Sequence, residues 1–158
     1  MLPAMPTAAQ DQPAEGLSAL AQVARQRSIT TCLSSIDAFA KEIGRSYDIG
    51  AFVFNQIERP DEGLVSISLE LSPGPSGAPV YMSANFVAKP GGGCQVMVET
   101  TVSWDSSCAA AGLAYPQYRV GGHLLKDIGI AEAGGIERLF LIPTVRSGCI
   151  AIEKSVFF

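Results

Sequence analysis

From Cys94 to Trp104 the side chains alternate with a period of two. Cys94, Val96, Val98, Thr100, Val102 and Trp104 fall on one side, and Gln95, Met97, Glu99, Thr101 and Ser103 on the other. That period, with this share of β-branched residues, predicts a strand with one buried face. Residues 64–71 repeat it, with Val65, Ile67, Leu69 and Leu71 opposite Ser66, Ser68 and Glu70. The runs AFVFNQIE (51–58) and VYMSANFVA (80–88) predict two more strands, and IERLFLI (136–142) and CIAIEKSVFF (149–158) a further two. In the last of these Ile150, Ile152, Val156 and Phe158 fall together, opposite Cys149, Ala151, Glu153 and Ser155.

Turn chemistry punctuates these runs: RPDEG at 59–63, SPGPSGAP at 72–79 and KPGGG at 89–93. Short loops between successive strands predict an antiparallel meander. Before the first strand the period changes. Leu17, Leu20, Val23 and Ala24 share one helical stripe, and Ile29, Cys32, Leu33, Ile36, Phe39, Ala40 and Ile43 another, closed by Gly44 as a C-cap. The β-branched triplet Ile29–Thr31 marks a kink or break, so the stretch is one long helix or two. Residues 109–135 carry the weakest pattern. Ala109–Ala114 and His123–Ile128 predict short helical turns, and YPQYRV (115–120) an edge strand that Pro116 keeps out of the sheet centre.

The predicted fold class is α+β: a single antiparallel sheet of five to six strands, mostly a meander, with a long N-terminal helix across one face. Residues 1–16, rich in Pro and Ala, form a predicted disordered leader, and 17–158 a single domain.

Composition narrows the partners. Only 16% of the 158 residues are charged, against about 25% in a typical domain, so the surface is rich in uncharged polar side chains. The net charge is −4 and the basic residues are scattered. A nucleic-acid ligand needs a basic footprint that is missing, and anionic lipid needs a similar one. No apolar run is long enough for a membrane span. The first sixteen residues lack the basic and hydrophobic regions of a signal peptide, and fit the front of an exported chain after removal of its leader.

Four widely spaced cysteines, without a Cys-x-x-Cys pair, predict two disulfides in an oxidising compartment. Distance limits the pairing. A straight strand over 94–104 sets Trp104 about 33 Å from Cys94, and residues 105–108 return at most about 14 Å. Disulfide Cα atoms lie within about 7 Å, which excludes Cys94–Cys108. If the last strand runs antiparallel to the central one, Cys149 pairs with Cys108 and Cys32 is left for Cys94; if parallel, Cys94–Cys149 becomes possible. The expected set is 32–94 with 108–149.

Catalytic signals are sparse. His123, in a Gly-rich loop, is the only histidine, so any Ser- or Cys-based triad must run through it. Ser76 lies in GPSGA and lacks the strand–turn–helix setting of a nucleophile elbow. Gly91–Gly93 leads into a strand, where a phosphate cradle leads into a helix. Asp61 and Glu62 lack the spacing of a calcium loop, and Glu70 and Glu99 pair across a cleft only if their strands align. No metal site and no cofactor is predicted. Trp104, Tyr115, Tyr118 and Arg119 form the most interface-like group. These features favour a non-enzymatic exported domain, periplasmic or secreted, that binds an unknown protein or small ligand of the cell envelope. The alternatives are a small hydrolase or transferase using His123, and a cytoplasmic protein with free thiols.

Overall fold

The computed structural model describes residues 17–157; the predicted leader, 1–16, and Phe158 lie outside the described residues. The helical stretch is two helices, α1 (Ala19–Gln26) and α2 (Leu33–Ile43), in place of one long one. Ser18 caps α1, its Oγ accepting from the Ala21 N–H at 3.2 Å. The break is built from three features. Ser28 takes φ +60°, which turns the chain out of the helix. Ile29 then inserts fully into the core. Asp61, from the loop before the second strand, accepts from the backbone N–H groups of Thr30 at 2.7 Å and Thr31 at 2.9 Å, and from the Thr30 hydroxyl. These bonds, the Thr30 hydroxyl foremost, hold the Asp61 carboxyl below the usual range.

Eight strands follow, not five or six: β1 (Asp48–Phe54), β2 (Leu64–Ser72), β3 (Val80–Ala88), β4 (Cys94–Trp104), then, after helix α3 (Cys108–Gly112), β5 (Arg119–His123), β6 (Gly129–Glu132), β7 (Arg138–Pro143) and β8 (Cys149–Phe157). All neighbours are antiparallel, in the order β1-β2-β3-β4-β8-β7-β6-β5, and the sheet is open. The two extra strands come from 109–135. The edge strand begins at Arg119, beyond Pro116, and the expected helix at 123–128 is a hairpin turn closed by the Leu124 N–H on the Ile128 carbonyl at 2.9 Å.

The order describes two four-stranded meanders whose last strands, β4 and β8, meet at the centre. Their equivalence extends to single residues. Cys32, the N-cap of α2, bonds to Cys94, the first residue of β4; Cys108, the first residue of α3, bonds to Cys149, the first residue of β8. The loops before β4 and β8, KPGGG and TVRSG, share no residue type but Gly at the last position, yet bond alike. Lys89 N–H donates to the Gly93 carbonyl and Gly92 N–H to Lys89; Thr144 N–H donates to Gly148 and Ser147 N–H to Thr144. Gly92 and Ser147, at the same loop position, both have positive φ. Glu99 and Lys154, each sixth from the cysteine that opens its strand, face each other across β4 and β8. An approximate two-fold axis therefore passes between them, although the sequence carries no visible repeat.

The helices cover one face. Beneath α1 and α2 lie Val65, Ile67, Leu69, Leu71, Met82, Ala84, Phe86, Val96 and Val98, with Phe39 edge-on to Phe86 at 5.8 Å. Beneath α3 lie Leu139, Leu141, Cys149 and Ala151. In β8 Cys149, Ala151 and Ser155 are buried, while Ile150, Ile152 and Val156 share the open face and are only half-buried. Register decides it, since Val98 and Ser155 are paired and side chains in register share a face.

Candidate functional site

Both cysteine pairs are oxidised, with no free thiol, which points to an oxidising, extracytoplasmic environment. No described helix is long and apolar enough to cross a membrane. Among the described residues no His, Cys, Asp and Glu side chains gather as a metal-holding set.

The predicted aromatic group is assembled, but mostly inward. Trp104 meets Tyr115 edge-on at 6.2 Å and Tyr115 meets Tyr118 at 6.4 Å. Tyr118 is buried over Ala131 and Leu139 in the core of the second half. Burial raises the Tyr118 phenol above its ordinary pKa and Glu153 adds to the shift; burial also raises Tyr115. The Tyr118 hydroxyl and the Trp104 indole nitrogen are buried without a protein partner. Arg119 stands apart from these rings. The register sets it on the open face, in one row with Glu132, Arg138, Lys154 and Glu99. Two ion pairs link that row, Arg138 to Glu132 at 3.2 Å and Lys154 to Glu99 at 2.6 Å.

The other sequence candidates are dispersed. Glu70 and Glu99 are separated by β3 and lie in different rows of the open face. Asp61 is engaged with Thr30 and Thr31, and Glu62 is paired with Arg59. Gly91–Gly93 forms the turn between β3 and β4, all three glycines at positive φ. Ser76 remains in the loop between β2 and β3.

His123 ends β5 and lines a groove of about 430 Å³ between α3 and strands β5 to β7. Asp127 lines the same groove. The rest of the lining is apolar or backbone: Ala109, Leu113, Val120 and Leu141 among others. It contains no hydroxyl, and its sulfur, on Cys108, is locked in a disulfide. A histidine and a carboxylate thus line one groove that has no side-chain nucleophile in its lining.

The groove exists because the second half is thinly covered. Pairing from β4 and β8 outwards makes Val120 the counterpart of Val53. Val53 lies under α1 with 2% exposure, whereas Val120 is 68% exposed. Among the described residues only α3, five residues long, lies on the second half, and none occupies the place of α1 there. Leu113, Leu124 and Leu125 are also exposed around it. These residues and Asp127 were not singled out from sequence. Their signal was there: four large aliphatic side chains in a segment too rich in Gly for a regular element to bury them.

Comparison with known proteins adds no relative: no family model, no curated protein and no solved structure matches the chain.

Proposed function

We propose that this is a non-enzymatic binding module of the periplasm or of the secreted fraction, which seats an amphipathic helix of a cell-envelope polypeptide over β5 and β6. One observation carries the reading. The first half shows how this frame is covered, by α1 over β1 and β2, and the equivalent ground on the second half is open at Val120. A helix bearing a stripe of small and medium apolar residues, like Leu20, Ala21 and Ala24 of α1, fits a groove lined this way. Two disulfides hold the frame rigid, which limits the ordering cost on binding.

The test is a photo-crosslinking residue at Leu113, with envelope extract as the source of partners. Crosslinks that map to an amphipathic helical segment, and that vanish on Val120→Asp but persist on Val23→Asp, support the reading. Crosslinks indifferent to Val120→Asp overturn it. So does hydrolase or transferase turnover that disappears on His123→Ala, because His123 would then be the working part of the groove.

A further inference from the structure

The two outer strands guard their free edges differently. β5 is short, opens on Arg119 and is bulged between Val120 and Gly122, features that discourage an edge from pairing with another chain. β1 also opens on a charge, Asp48, but its seven residues, DIGAFVF, pair along their whole length without bulge, lysine or proline. Apolar atoms flank its edge on both faces. On the helix-covered face Ile49, Ala51 and Val53 line a groove of about 390 Å³ with Leu20 and Val23 of α1. On the open face Phe52 and Phe54 are exposed, their ring centroids 4.7 Å apart.

We infer that β1 pairs with β1 of a second copy, antiparallel about a two-fold axis at Ala51, joining the two eight-stranded sheets edge to edge. The strand is self-complementary about that axis. Ile49 falls opposite the second copy's Val53 on the helix-covered face. On the open face Phe52 falls opposite the second copy's Gly50, and a ring set against glycine meets no Cβ. Charge matches as well. Asp48 opens β1, and Arg27 stands near the other end, its guanidinium carbon 5.8 Å from the Phe52 ring centre. Neither is in an ion pair among the described residues. Antiparallel pairing carries each Asp48 to the end where the second copy's Arg27 stands, so the match is made twice. Such an isologous contact closes on itself and leaves only the protected β5 edges free.

Sedimentation velocity over a wide concentration range tests this. The expected species has twice the 16.6 kDa chain mass. Ala51→Lys sets two like charges face to face on the axis and yields monomer; the position is exposed, so the chain keeps its fold by circular dichroism. Asp48→Arg and Arg27→Asp each weaken association about tenfold, and the two together restore it. A wild-type chain that stays monomeric at every concentration overturns the proposal. So does a dimer that survives Ala51→Lys, or charge reversals that fail to rescue one another.

Discussion

β1 to β4 and β5 to β8 share a path, a disulfide position and a loop hydrogen-bond pattern, but they are filled by different means. The first half buries long branched side chains under two helices: Val65 and Ile67 on β2, Phe86 on β3 and Val96 on β4. The positions that correspond on the second half hold Gly129 and Ala131 on β6, Leu141 on β7 and Ala151 on β8. Tyr118 and its neighbours fill part of the space that these small residues leave. Nineteen buried residues form the first cluster and seven the second. At roughly 1.5–3 kcal/mol for each large apolar side chain buried, the first half holds itself together by packing. The second must lean on its staple and on pairing with β4. One frame thus supports a self-sufficient half and a half with a surface to spare.

The largest test of that contrast is removal of each disulfide. Closing loops of 62 and 41 residues restricts the unfolded chain by about 4 kcal/mol in either case on the loop-entropy model. The loss should therefore be similar in a urea titration and different in place. Cys108→Ala with Cys149→Ala is expected to strip hydrogen-exchange protection from β5 to β7 while β2 and β3 keep theirs. Cys32→Ala with Cys94→Ala is expected to lower protection evenly, because the packing of Ile29, Ile36 and Phe86 still holds α2 down. Equal, sheet-wide loss in both variants would show that the second half is not the weaker one.

Much of the first half was legible in the chain because its side chains follow one rule. Val65, Ile67, Leu69 and Leu71 alternate with Ser and Glu, and the straight run from Cys94 to Trp104 set the distances that forbid a Cys94–Cys108 bond. The second half hid for the opposite reason. β5 and β6 contain Gly121, Gly122 and Gly129, which carry no side chain to alternate, so these two short hairpin strands leave no period of two to read. In β8 both faces look apolar, Ile150, Ile152 and Val156 on one side and Ala151 on the other, so hydrophobicity alone does not choose the buried face and register against β4 decides it. The groove at His123 is hidden from the sequence for a related reason: it arises where no described residue supplies a counterpart of α1.

A sharper, smaller test compares equivalent positions. Val53→Asp sets a carboxylate under α1 with no partner and is expected to cost about 3 kcal/mol or more in urea denaturation. Val120→Asp, on the same position of the second half, should change stability by no more than about 0.5 kcal/mol. Near-equal losses would mean that Val120 is covered in solution, and covered by this chain.

The smallest expected effect lies on the axis between the halves. Glu99 and Lys154 face each other directly, 2.6 Å apart and on the open face, where solvent screens the pair. A double-mutant cycle with Glu99→Gln and Lys154→Met should give a coupling of about 0.2–1 kcal/mol, falling as salt is added. The pair is too weak to hold β4 to β8, which nine registered residues on each strand already do. Its use is in register. A slip by one residue would send Lys154 and Glu99 to opposite faces and drive Ile152 under the helices. If the cycle shows no coupling but nuclear Overhauser contacts between β4 and β8 remain in register in the double variant, the hydrophobic pattern alone aligns the two halves and the charges are incidental to it.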